Sequence, residues 1–352
     1  VEVDEPVHGG GIGPNLPFGN AKRRVHSGGG RGLMDWFSAL TGLPSDRPDV
    51  VRAGILQDGA ELVLRTSGRR LVAGRLTTPA LAELPAPPTG PVRLRLREVV
   101  ADVKALHADP GNAGAVFQVA SQFNLLEMIG PMVTPEDGIA RYETDQTQGP
   151  ACAMACAAGT IYRNYFVPVG NRIGQSAAHQ LDMLADLGAA LGNAQGRLWS
   201  MVNGYVRPHP GGLGSIRIGE ADRSRLRNLL RVGVQAGTEV TLPGAGHLVH
   251  QVYASALPIA YSLDPIDDWE PFARLVLEAA YLATFGAAHA LGAPRLFLTR
   301  LGGGAFGNPS SWISAAMATA LETWQTVEMD VVIVSYGRPD PANRPLLDRF
   351  AG

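Results

Sequence analysis

Cysteine is nearly absent: 352 residues hold two, Cys152 and Cys156. One pair four residues apart makes no disulfide framework. With no histidine or third cysteine beside it, the pair reads as two small buried residues on one helix face. Charge is sparse too, at 18% of the chain, and nearly balanced, with 30 basic against 32 acidic side chains. That balance excludes a protein that holds nucleic acid through a broad basic field. No apolar run approaches the roughly 20 residues of a membrane span. The opening "VEVDEPVHGGG" lacks the basic-then-apolar order of a secretory signal. The expected location is the cytoplasm, with a secreted effector as the other option. Several catalytic signatures are missing as well. There is no His-Glu-x-x-His, no paired-cysteine motif, no calcium-loop spacing and no Gly-x-Ser-x-Gly elbow, so neither metal nor cofactor is expected. His247 and His250 flank one strand and point to different faces.

Apolar residues, at 45%, suffice for a large core. Residues 1–32 carry nine glycines, three prolines and the basic cluster Lys22, Arg23 and Arg24, and read as a flexible tail. Residues 33–111 read as an N-terminal extension packed on the core or continuous with it. "LMDWFSALTG" is a short helix closed by Gly42, and "AELVLRTSGRRLVAGRL" a hairpin around Ser67 and Gly68. A strand ending at Val100 follows the Pro-rich connector "ELPAPPTGP". From residue 112, buried strands alternate with helices. "AVFQVAS", "LWSMVNGYV", "HLVHQVYASAL", "RLFLTRL" and "MDVVIVSYG" read as strands. "QGPACAMACAAGTIYRNYF", "GQSAAHQLDMLADLGAALG", "EADRSRLRNLLRVGVQAG", "EPFARLVLEAAYLATFGAAHAL" and "SWISAAMATALETW" read as helices. This rhythm predicts a layered α/β fold.

Two loops stand out. "LGGGAFGNPSSW" joins a strand to a helix, and Gly302, Gly304 and Gly307 spell G-x-G-x-x-G. Small residues there let backbone N–H groups approach an anion at the positive end of a helix. A nicotinamide oxidoreductase would also need an acid at the end of the next strand. Glu322 lies at the right distance but late in the helix, so that reading contradicts its own pattern. The loop could equally serve packing alone. In "VFQVASQFN", a buried strand ends in polar Ser121, Gln122 and Asn124, a common position for ligand contacts. The acid-rich loop "TPEDGIARYETDQTQGP" then runs into a helix that starts near Gln148, Gly149 and Pro150.

The order of these parts resembles a macrodomain, the ADP-ribose-binding fold. "QVASQFN" and "GPACAMACAAG" are similar to its polar strand end and first ligand helix. "HLVHQVYASALP", preceded by "GVQAGTEVTLPG", fills the slot of a later strand. "LVLEAAYLATF" matches a helix, and "GGGAFGNP" the phosphate loop. The resemblance spans residues 115–338. It departs in two ways: the first loop has Gln148-Gly149-Pro150 where common macrodomains have three glycines, and about 70 residues, 164–230, are inserted. Both departures are similar to the branch that removes ADP-ribose from arginine, including arginine on ubiquitin.

The resemblance implies an α/β/α three-layer sandwich over residues 112–352, with a mixed central sheet, an N-terminal extension and an inserted helical segment. It implies ADP-ribose and an ADP-ribosylated protein, ubiquitin among them, as partners. Gly302, Gly303, Gly304, Ala305, Phe306 and Gly307, with Gln148 and Gly149, would hold the ligand, and Gln122 and Asn124 would orient it. Cleaving an N-glycosidic bond needs carboxylates to steady an oxocarbenium-like state and to move a proton. Asp137 and Asp145 are the expected pair, with Glu143 in reserve; a merely solvated acidic loop is the alternative. A non-catalytic ADP-ribose reader would need the same pocket without the acids.

Overall fold

Asp35 starts the first helix by accepting the Ser38 N–H at 2.7 Å, and Gly42 ends it in the left-handed region at φ 71°. This computed structural model describes residues 34–350, so the stretch read as a tail lies outside the described residues. Helices α1 (Trp36–Thr41) and α2 (Pro48–Gly54) lead into strands β1 (Ile55–Asp58), β2 (Glu61–Leu64) and β3 (Arg70–Val72), a small antiparallel sheet. Strands β4 (Arg75–Thr77) and β5 (Arg95–Val100) then join the central sheet as its two edges. Residues 75–100 thus supply both edge strands of that sheet. Next come α3 (Val103–Ala108), β6 (Val116–Ala120), α4 (Gln148–Ala155) and α5 (Ala157–Ile161), which ends in a π-type turn over Tyr162–Phe166. The inserted region carries β7 (Pro168–Val169), β8 (Arg172–Ile173), α6 (Ala185–Ala190), β9 (Trp199–Val202), β10 (Tyr205–Pro208) and α7 (Glu220–Arg227). The chain continues through β11 (Gly233–Glu239), β12 (Leu248–Ala254), α8 (Ile266–Ala290), β13 (Arg295–Leu298), α9 (Ser310–Trp324), β14 (Asp330–Ser335) and α10 (Arg344–Phe350).

The central sheet has seven strands in the order β4-β11-β12-β6-β13-β14-β5. The five from β12 to β5 are parallel; β11 runs antiparallel to both its neighbours, β12 and the edge strand β4. Alternation along β6 shows what covers each face. Phe117 stacks on His107 of α3 and on Phe297 of β13, whereas Gln118 donates to Thr284 of α8 at 3.0 Å. Helices thus cover both faces, and the fold is the expected three-layer α/β/α sandwich.

Three readings need correction. Residues 174–184 are not helical. Gln175 instead donates to the carbonyls of Asn124 and Arg163, at 2.9 and 3.1 Å, and these tertiary bonds outweigh helix propensity. The charged helix stops at Arg227, and "GVQAGTE" is strand β11. "LWSMVNGYV" is a hairpin, not one strand. Asn203 and Gly204 turn it with φ 49° and 78°, the pattern that two-residue hairpins favour. The insertion is therefore mixed rather than helical. Among the described residues, no helix is long and apolar enough to cross a membrane, and no cluster of three or more His, Cys, Asp or Glu could hold a metal ion.

His107 is wholly buried behind the sheet. Its Nδ1 donates to the Val103 carbonyl at 2.8 Å, and its Nε2 accepts from Gln251 at 3.1 Å. Burial holds its pKa down at about 4. An unfolded chain takes up that proton near pH 6.5, so His107 lends stability above that pH and loses it as pH falls toward 4. The loss should reach about 3 kcal/mol. Urea unfolding at pH 7.5 and pH 5 checks this: His107→Gln should show a shallower pH dependence than the parent.

Candidate active site

The carboxyl ends of the five parallel strands share one edge of the sheet, where open α/β sheets hold ligands. Two clefts meet there. The smaller, about 180 Å³, takes in Ser121 after β6, Ala256 after β12 and Thr299 after β13. The larger, about 690 Å³, extends over Ser335 at the end of β14, Tyr336 just after it and Asp102 after β5. Their common wall is Asp145, Thr147, Gln148, Thr299, Arg300 and Gly304.

Gln148 builds the α4 side of this wall. Its side-chain oxygen accepts the Ala120 N–H at 2.9 Å, and its amide donates to the Gln118 carbonyl at 2.8 Å. The side chain pairs with the β6 main chain much as a strand would, using one donor and its oxygen there. Gly149 follows because no side chain fits: a Cβ would stand 2.1 Å from the Ala120 carbonyl oxygen and 3.2 Å from Glu127 Cγ. Pro150 has no N–H, so the first-turn amides open to a ligand are those of Gln148 and Gly149. Asp145 lies just ahead, half-buried, with one carboxylate oxygen accepting the Thr147 N–H at 2.8 Å.

The glycine loop between β13 and α9 forms the other side. Gly302 and Gly307 adopt φ of 74° and 72°, and an added Cβ would meet Ala256 or Ala260. Gly303 is hemmed in by Ile313 at 3.0 Å. Gly304 differs: it has no positive φ, nothing lies within 4 Å of an added Cβ, and it borders both clefts. Ala305 and Phe306 complete this wall of the smaller cleft. Strand β14, which follows α9, ends at Ser335, followed by Tyr336, with no acid there, and Glu322 of α9 pairs with Arg349 of α10 at 2.6 Å. The dinucleotide pattern therefore lacks its ribose-binding carboxylate.

The structure gathers Asp145, Gln122, Gln148, Gly149, Gly302, Gly304, Ala305 and Phe306 at the smaller cleft; Glu143 borders only the larger. Asp137 does not border either cleft. Its carboxylate closes a turn by accepting the Thr134 N–H and hydroxyl at 2.8 and 2.9 Å, so the pairing of Asp137 with Asp145 is not assembled. Asn124 also lies outside both clefts, with its amide turned to Gln180 at 2.7 Å. Gly303 and Gly307 support the loop from behind. Gln122 does border the smaller cleft, but its amide is engaged by the N–H and carbonyl of Met128, at 2.9 and 3.1 Å.

Other groups complete the site. Ser121 is buried beside the smaller cleft and its Oγ has no hydrogen-bond partner among the described residues. Its place in the polar strand end made it visible in sequence. Tyr205 of β10 and Tyr261 join Phe306 as an aromatic wall, and only the folded insertion brings Tyr205 there. Burial raises both phenol pKa values, and the nearby negative charge of Asp145 adds to the rise. Glu127, beneath Gly149, is fully buried, and burial raises its pKa although Arg163 stands 3.2 Å away and pulls it back. Arg300 faces the common wall but is engaged elsewhere, with Asp340 at 3.1 Å and Asn343 and the Ser310 carbonyl at 3.0 Å.

Two glycine substitutions separate packing from ligand access. Gly149→Ala should destabilise the fold by about 1–3 kcal/mol through overpacking. Gly304→Leu should shift unfolding by less than about 0.5 kcal/mol, yet weaken ligand binding at least tenfold by filling the open ground between the clefts. Urea unfolding and calorimetry on both variants test the contrast.

No protein-family model matches this chain, and no curated protein matches it. Among solved structures, it is similar to poly(ADP-ribose) glycohydrolase from Thermomonospora curvata bound to the inhibitor ADP-HPD. That likeness has 14% identity and a TM-score of 0.43, covering 86% of this chain and 96% of that one. It is also similar to poly(ADP-ribose) glycohydrolase from Deinococcus radiodurans in complex with ADP-ribose, at 12% identity and a TM-score of 0.41, covering 79% of this chain and 95% of that one.

Proposed function

We propose that this protein is an ADP-ribosyl hydrolase of the macrodomain type that releases ADP-ribose from arginine in a modified protein. The observation that carries the reading is the pair of joined clefts. A two-ended ligand fits them, with its pyrophosphate against Gly304 and the Gln148 and Gly149 amides, where small residues and a helix start favour an anion. The larger cleft, with exposed Tyr336, takes the adenosine end. The smaller takes the distal ribose, beside Ser121 at the end of β6. The order of motifs shared with macrodomains supports the same ligand.

Asp145 is the carboxylate placed for chemistry. In the hydrolysis, the bond from ribose C1 to the guanidinium nitrogen breaks and its electrons stay on nitrogen. Water forms the new bond to C1. Asp145 accepts the proton that water loses and passes it to the departing guanidine, so no net proton is released. Its negative charge also steadies the oxocarbenium-like state. Glu127 also borders the smaller cleft, but its carboxylate is taken up by Arg163 at 3.2 Å, so the scheme assigns it no step.

Calorimetry with free ADP-ribose should show binding, and an arginine-modified protein should release ADP-ribose when the enzyme is added. Asp145→Asn should keep the binding and lose about a hundredfold or more in kcat. Binding without release points to a reader, and no binding removes both readings. If Asp145→Asn turns over as fast as the parent, the catalytic assignment is wrong.

A further inference from the structure

The proposed reaction leaves open what receives the departing side chain. Three rings meet at the smaller cleft: Tyr205 and Tyr261 have centroids 5.3 Å apart, Tyr205 and Phe306 5.4 Å, and Tyr261 and Phe306 5.9 Å. They come from three separate segments. Tyr205 arrives on the inserted hairpin, Tyr261 in the loop after β12, and Phe306 in the glycine loop. Tyr205 is pinned, donating to the Met128 carbonyl at 3.2 Å and accepting from Gln122 at 3.3 Å. Tyr261 and Phe306 are only half-buried, so their surfaces remain open to a guest. Asp145 borders the same cleft and lies near enough to both phenols for its charge to be felt there.

Aromatic surface beside Asp145, the one carboxylate among the described cleft residues not paired with an arginine, is a setting for a flat positive group. Arg300, which borders the cleft, is engaged by Asp340, and Arg163 by Glu127. A guanidinium can lie against rings through cation–π attraction while its N–H groups donate to a carboxylate. A neutral serine hydroxyl gains little from either contact.

Resting on the ADP-ribosyl hydrolase reading, we infer that Tyr205, Tyr261 and Phe306, with Asp145, form the leaving-group subsite that selects guanidinium over uncharged linkages. The inserted hairpin is then a specificity element: it carries Tyr205 into a cleft otherwise built by the core. Tyr261 is the member to test, because it is half-exposed and its removal spares the pinned Tyr205.

The experiment compares kcat/KM for an arginine-linked and a serine-linked ADP-ribosyl peptide, together with the affinity for free ADP-ribose. The parent should prefer the arginine conjugate. Tyr261→Ala should lower that preference about tenfold, mainly through KM, and Tyr261→Phe should restore most of it, since the ring suffices. An unchanged preference in Tyr261→Ala overturns the subsite while leaving the hydrolase reading intact. A parent that hydrolyses both conjugates equally well also overturns it. A parent that binds no ADP-ribose overturns the reading beneath it, and the subsite with it.

Discussion

The Gln148 amide against the end of β6 is the contact on which the site depends. It bonds the Ala120 N–H and the Gln118 carbonyl together, so the first turn of α4 is fastened to the last residues of the central strand. Gly149 allows that approach, and Glu127 with Arg163 fills the space beneath. From there Arg163 donates to the Tyr253 hydroxyl, Tyr253 to Gln251, and Gln251 to His107. Buried polar groups are costly unless each is partnered. This chain of partners holds α3, α4, β12 and the π-type turn in one arrangement. The cleft inherits its geometry: Ser121 follows directly from β6, and Asp145 sits three residues ahead of α4.

Two regions outside the alternating core brace the site. The first is the N-terminal unit, which forms a second apolar cluster in which Phe37, Val51 and Leu62 pack with Ile139, Tyr142 and Tyr165. Trp36 reaches the same loop, its indole N–H donating to the Ala140 carbonyl at 3.0 Å and its backbone N–H to Glu143 at 3.2 Å. Asp46 accepts the Ala140 N–H at 2.7 Å, close to Gly138, where a Cβ would collide with it. The acid loop is thus held from behind, and Glu143 has a structural partner that its sequence context did not suggest. The second region is the insertion. Arg227 anchors it to Glu278 of α8 at 3.2 Å, and Arg223 pairs with the same carboxylate. The hairpin it carries sets Tyr205 in the cleft.

Much of the fold was legible because its signals are local. The Asp35 cap and Gly42 stop, the alternation in β6 and the apolar length of α8 each follow from neighbouring residues. Residues 174–184 were not legible: their small and apolar residues resemble a helix, but Gln175 is claimed by carbonyls distant in sequence. The Asn-Gly turn at Asn203 was a readable signal that the strand reading overlooked. The acids show the same limit. Asp137 and Asp145 look alike in sequence, yet one completes a tight turn while the other borders both clefts.

By itself the sequence determined residue chemistry and local form: glycines before a helix, a strand ending in polar side chains, acids ahead of Gln148, and an order of elements that makes a three-layer α/β sandwich. Only the tertiary structure decided which of these groups meet. It separated Gly304, open to a ligand, from Gly149, Gly302 and Gly307, whose added Cβ atoms would strike neighbouring segments. It also brought Tyr205 from a distant hairpin to Phe306 and Asp145. The reason is that backbone preference and hydrophobic period act within a few residues. A cleft at strand ends is assembled by packing between segments far apart in the chain, and no local pattern records that distance.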